Sequence, residues 1–133
     1  MSGITTDLND QSVAAYKTGN DGIVVVAVLE AIPGGKTLDV TNFSPEVIQE
    51  GHIVIEKTSN GYLLPMPVSG EAYASLPAGH TYKGHVISTT LTSKPMVGIM
   101  IRGTLNYKAA PYDMSSILAA VRTASPLITY MKN

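Results

Sequence analysis

The sequence predicts a mainly β protein with one late α-helix. Runs rich in β-branched residues recur, as in Ile23–Leu29 (IVVVAVL) and His52–Lys57 (HIVIEK). Turn signals separate them, chiefly Pro33-Gly34-Gly35 and Ser59-Asn60-Gly61. Helical periodicity stands out in one place, PYDMSSILAAVRTASP. Apolar, β-branched runs bounded by Gly, Pro and Asn read as strands joined by tight turns.

Residues 1–20 form a polar arm with few large apolar side chains, ahead of a single β-rich domain at residues 21–133. Such an arm gains too little burial to offset its ordering entropy, so it is expected to order against a partner chain. Asp21-Gly22 is a turn signal. Ile23–Leu29 is apolar throughout, which predicts a strand buried on both faces. Lys36–Val40 can form a short strand, and Asn42–Pro45 a loop. His52–Lys57 is a strand, and Asn60-Gly61 predicts a type I′ hairpin into Tyr62–Met66. Pro65 and Pro67 lack ladder donors, which places that strand at an edge. Ser69–Gly79 reads as loop. Thr81–Thr90 and Met96–Tyr107 supply further strands, with Gly98 and Gly103 marking bulges or close backbone approaches.

In the helix, Met114, Ile117, Leu118, Val121 and Ala124 follow the spacing of one buried face. Asp113 is its expected N-cap, Arg122 suits the last turn, and Pro126 ends it. Leu127–Met131 is a closing strand. IPGGKTL, IQEGHIVI and LPAGHTYKGHVI share a Gly turn before a strand, at irregular spacing, so they indicate a repeated turn and no solenoid.

Composition narrows the function. Charged residues are 14% of the chain, against roughly 25% in ordinary soluble proteins. The net charge of −1 offers no broad basic field for nucleic acid. So few charges, with many Ser, Thr, Gly and Tyr, suggest an exterior covered by partners. There is no Cys, hence no disulfide or thiolate chemistry. Ile23–Leu29, the longest apolar run, is far short of the roughly twenty residues of a membrane helix. MSGITTDLNDQ lacks the pattern of a signal peptide, so the chain is expected to be made in a cytoplasm.

Gly35-Lys36-Thr37 mimics the tail of a phosphate loop, but Glu30 stands where that loop needs its first glycine. The stretch therefore reads as a turn. His52, His80 and His85 read as turn histidines without a shared metal, since five residues of strand would put His80 and His85 on opposite faces. No serine lies in a G-x-S-x-G elbow. Asp7, Asp10, Asp21, Glu46, Glu50 and Glu71 read as solvated surface charge. Asn42-Phe43-Ser44 matches an N-glycosylation acceptor only as a loop coincidence. The seven tyrosines, against one Phe and no Trp, serve either as interface residues or as caps on a small core.

Ala31–Leu38 (AIPGGKTL), Ile48–Ile55 (IQEGHIVI), Asn60–Pro65 (NGYLLP) and Pro95–Asn106 (PMVGIMIRGTLN), closed by a late helix and strand, occur in an order that resembles the head decoration proteins of tailed bacteriophages, of the lambda type. The resemblance spans about Gly22 to Tyr130. It implies a compact β-rich decoration-protein fold of the β-tulip or β-clip kind. It also implies a non-enzymatic homotrimer on the outer virion capsid surface, made in the host cytoplasm. The arm would dock on the major capsid protein and add to its sheets, bracing the shell. Candidate partner contacts are Ile4, Leu8, Val13 and Tyr16 in the arm, with Tyr73 and Tyr82 in the domain. No cofactor, nucleic acid or membrane enters this expectation. The alternative is a head fibre or surface module that binds a carbohydrate or receptor, with Tyr62, Tyr73 or Tyr82 as stacking platforms.

Overall fold

The apolar stretch His52–Ile55 and the strands that flank it set the centre of the fold. The computed structural model describes residues 23–132. The predicted arm, with Ile4, Leu8, Val13 and Tyr16, lies outside the described residues. In chain order the strands are β1 (Val25–Ala31), β2 (Lys36–Thr37), β3 (Val47–Ile48), β4 (Ile53–Lys57), β5 (Leu63–Pro65) and β6 (Val68–Ser69). They continue as β7 (Ala72–Tyr73), β8 (His80–Val86), β9 (Thr90–Leu91), β10 (Met96–Val97), β11 (Ile99–Asn106) and β12 (Ile128–Met131). A 3-10 turn at Tyr107–Ala109 and the helix α1 (Leu118–Ala124) lie between the last two strands. The protein is thus mainly β with its helix late in the chain.

A six-stranded sheet runs β12-β11-β8-β4-β5, with β1 also paired to β11. Ile99 and Met100 of β11 pair with Val86 and His85 of β8, and Gly103–Asn106 runs parallel to Ile128–Met131. The short strands pair separately as β9-β3, β10-β2 and β6-β7. Because strand side chains alternate, β4 divides the core. Ile53 and Ile55 join Met66, Met100, Leu105, Met114 and Val121 on one side. Val54 joins Leu38, Ile48, Leu63, Val86 and Ile99 on the other.

Several expectations needed correction. The run predicted to be buried on both faces forms β1, and Val26 to Glu30 are all exposed. Among the described residues β1 pairs only with β11, so its apolar side chains have no second layer to enter. The Asn60-Gly61 hairpin exists, but its loop is Thr58–Gly61, closed by Lys57 N–H donating to Tyr62 O at 2.8 Å. Gly61 takes φ 75° and the Asn60 carboxamide accepts from Tyr62 N–H, so the turn is a longer form than type I′. The predicted Ser69–Gly79 loop contains half of the β6-β7 ladder. The predicted strand at Thr81–Thr90 ends at Val86, and Met96–Tyr107 is split at Gly98.

The helix begins at Leu118, later than predicted, with Ile117 at its N-cap. Asp113 is already engaged. Its backbone bridges Glu71 and Tyr73, and its carboxylate accepts from Ser115 N–H and Oγ–H. Those bonds hold Asp113–Ser115 as a turn, a local competition typical of Asp. Met114, Ile117 and Val121 are buried as predicted, Leu118 is half-buried, and Ala124 is exposed.

Other local readings hold. β5 with Pro65 ends the sheet order. Gly103 sits at a register shift against β1. Pro33-Gly34 is a turn: Gly35 N–H donates to Ile32 O at 3.2 Å, and Gly34 takes φ 79°, which only glycine adopts freely.

Candidate functional site

Three regions concentrate the chemistry that a β framework of this kind can present. The first is β1. Val26, Val28 and Leu29 are 51%, 40% and 66% exposed, and the pairing with β11 shifts register at Val26 and at Leu29, so alternation is broken along an exposed run. The strand is anchored by its beginning and its backbone. Val24 is buried and its carbonyl accepts from Asn106 N–H, while Val25 N–H donates to Glu50 Oε2 at 3.0 Å. Glu50 is itself buried, which corrects its reading as a solvated surface charge. Its carboxylate receives the first amide of β1 and so fixes where the strand departs. The Glu30–Arg102 pair, 4.0 Å apart with both side chains over half exposed, adds little stability.

The second region is a cleft of about 580 Å³ between the β2 turn, the β4-β5 hairpin and β8. Ile32, Leu38 and Leu63 supply apolar wall, and Lys36, Asp39, Glu56 and Lys83 supply charge of both signs. Tyr62 stands at its side, 59% exposed. Asp39 and Tyr62 also line an adjoining cleft of about 420 Å³ with Asn60 and His80. The framework is fixed by backbone bonds: Leu38 N–H donates to Pro95 O and Asp39 N–H to Leu63 O. The Thr41 hydroxyl and amide donate to Asp39 Oδ1 and hold its carboxyl below the usual range. A bulge in β8 brings Lys83 to this side. Val54 pairs with Gly84 and Ile55 with Tyr82, leaving Lys83 as the extra residue.

The same bulge corrects the histidine argument. Ile53 opposes His85, Ile55 opposes Tyr82 and Lys57 opposes His80, so His80, Tyr82 and His85 share a face. They still do not converge on one point. His80 Nδ1 lies 2.9 Å from Ala78 O near the surface. His52 and His85 are fully buried, not turn residues at the surface. Among the described residues no three His, Asp or Glu side chains are grouped to hold a metal.

The buried histidines form the third region. His85 Nδ1–H donates to Gly51 O at 2.9 Å, and its Nε2 accepts from the Tyr130 hydroxyl at 2.7 Å. His52 Nε2–H donates to Met66 O at 2.9 Å. Its Nδ1 has no hydrogen-bond partner among the described residues. Phe43, Tyr73 and Tyr112 surround that ring edge-on, with centroids 5.2 to 5.5 Å away. Burial lowers both histidines to about 4. Burial also pushes the Tyr73 and Tyr130 hydroxyls well up. Neutral imidazoles and phenols here act as core hydrogen-bonding groups.

The predicted partner contacts fare differently. Tyr73 is 4% exposed and its hydroxyl accepts from Ile53 N–H, so it offers no surface in this protomer. Tyr82 is half-buried against the first core. Sequence reasoning missed the exposure of β1 and the cleft beside Tyr62. The Pro33-Gly34 turn and the Asn60-Gly61 turn, both legible, are the two loops that shape that cleft. No protein-family model, curated protein or solved structure matches this chain.

Proposed function

We propose that this protein is a non-enzymatic decoration protein of a tailed-phage head, binding the outer capsid surface and stabilising the shell. The carrying observation is β1, an apolar strand that begins just after the polar arm and leaves every residue from Val26 to Glu30 exposed. An exposed apolar edge strand invites pairing and aggregation unless a partner covers it. The order of turns and strands that resembles lambda-type decoration proteins supports the same reading. On this reading residues 1–20 dock on the major capsid protein by strand addition, where backbone bonds give affinity that polar side chains cannot. The exposed side chains of β1 lie against a neighbouring copy in a homotrimer.

Co-sedimentation with undecorated capsids tests this directly. The full chain pellets with capsids, and a chain lacking residues 1–20 does not, while its melting temperature stays close to that of the full chain. Analytical sedimentation of the free protein gives a trimer at high concentration, which Leu29→Lys with Val26→Lys weakens. Capsid binding that survives deletion of the arm overturns its docking role. A monomer both free and on particles overturns the family reading.

A further inference from the structure

We propose that the cleft beside Tyr62 is a binding site for a neutral hexopyranosyl glycan, separate from the surfaces used in capsid docking. Tyr62 offers an exposed ring on a fixed backbone. Its carbonyl accepts from Lys57 N–H at 2.8 Å, and its own N–H donates to Asn60 Oδ1 at 3.0 Å. A tyrosine on a fixed backbone presents a large apolar face and has only two side-chain torsions to order on binding. The C–H face of a pyranose ring matches such a surface.

The charges around the ring define the ligand. Lys36 and Lys83 supply ammonium donors, and Asp39 and Glu56 supply carboxylate acceptors, in the same cleft. The side chains of Lys36, Glu56 and Lys83 make no hydrogen bond or ion pair among the described residues. Their capacity is therefore available to a ligand. A sugar hydroxyl both donates and accepts, so one ring can use both signs at once. A uronic or sialic acid meets two carboxylates as well as two ammonium groups, and a cationic ligand meets the same mixture, so neither gains net charge complementarity. With two charges of each sign, the cleft favours a neutral polyol. Its volume of about 580 Å³ lies within the range of small-ligand pockets. The buried Leu38 and its backbone bond to Pro95 hold this wall of the cleft in place. A sugar chain crossing Tyr62 would enter the adjoining cleft, which shares Asp39.

The test is titration of the full chain with neutral tetrasaccharides of glucose, galactose and mannose, with tetragalacturonate as the anionic control. Binding is read by calorimetry and by amide shifts in two-dimensional NMR. At least one neutral tetrasaccharide binds and shifts the amides of Tyr62 and Asp39. Tyr62→Ala loses roughly tenfold or more in affinity, as expected for a central aromatic anchor, while Tyr62→Phe retains binding. Glu56→Gln, a near-isosteric change at a half-buried side chain, weakens binding without altering the melting temperature. Capsid co-sedimentation of Tyr62→Ala matches the unmodified protein. The proposal fails if no neutral tetrasaccharide binds at millimolar concentration, if Tyr62→Ala binds as well as the unmodified chain, or if tetragalacturonate binds more tightly. It also fails if Tyr62→Ala abolishes capsid binding, which would make the cleft part of the docking surface.

Discussion

Acid should destabilise this protein through two buried histidines, over a pH window that opens before its carboxylates are protonated. His52 and His85 are both buried, and burial lowers each from 6.5 to about 4. The unfolded chain binds two protons as pH falls through 6.5, while the folded chain resists them until about 4. Folded-state stability is therefore complete above pH 6.5, falls through the window from 6.5 to 4, and levels off below. Each pKa unit is worth about 1.4 kcal/mol, so the shift on one histidine corresponds to about 3 kcal/mol. At pH 4.5 most of that loss has occurred, and the pair together removes about 5 kcal/mol. That is comparable to the whole stability of a small domain, which runs from about 5 to 15 kcal/mol. The partners that hold the two rings are uncharged: His52 faces Phe43, Tyr73, Tyr112 and Met66 O, and His85 faces Gly51 O and Tyr130. Urea titrations at pH 7.5 and 4.5 measure the difference. His52→Phe should roughly halve it, since one of two titrating rings is gone. At pH 7.5 that variant should stay within about 1 kcal/mol, because the lost bond to Met66 O is offset by removal of the orphaned Nδ1. A loss between the two pH values of less than about 1 kcal/mol, or one unchanged in His52→Phe, refutes the assignment of acid lability to these rings.

Three further outcomes follow from the backbone. Gly84→Ala places a Cβ 2.2 Å from Met100 O, so it should lower stability by about 2–3 kcal/mol or prevent folding, as judged by urea midpoint. Gly34→Ala meets nothing within 4 Å and carries only the penalty of a positive φ, about 1–2 kcal/mol in the same measurement. Gly61→Val strains the φ of 75° with a β-branched residue, and should lower the melting temperature by several degrees, whereas a slack loop would leave it unmoved.

Local physics was the part of this fold most legible in the sequence. A positive φ at Gly34 or Gly61 is a property of one residue and its neighbours, and both turns lie where the glycines put them. The strand at His52–Lys57 was equally readable from its β-branched run, and the buried face of the segment from Met114 to Val121 from its spacing. What escaped was decided by pairing across long stretches of chain. Ile23–Leu29 and His52–Ile55 are both apolar runs, yet β4 lies between β8 and β5 while β1 pairs only with β11 among the described residues. Nothing in an apolar run states how many neighbours its strand will have. The histidine faces failed for a related reason. Odd spacing is a sound rule for a regular strand, but the extra residue at Lys83 resets the alternation. Gly84 was the visible sign, because only glycine lets β8 approach the Met100 carbonyl so closely. Glu50 was misread because its partner, the amide of Val25, is distant in sequence.

The surfaces assigned to binding are separable from the structure that holds the fold, and this follows from how β1 and the hairpin are attached. β1 is secured by Val24, which is buried so tightly that a Cβ on Gly51 would lie 2.1 Å from its Cγ1. Among the described residues it is held further by backbone pairing with β11, by Val25 packed on the first core and by the Glu50 contact. The side chains of Val26, Val28 and Leu29 are exposed, so their replacement removes little burial and little stability from the protomer. Tyr62 is in the same position, exposed at 59% while its backbone holds the turn. A loss of binding on substitution at any of these positions, with the urea midpoint retained, therefore reports the lost contact itself. A fall in midpoint at Leu29 or Tyr62 would mean that the side chain supports the fold, and would withdraw that residue from the binding surface.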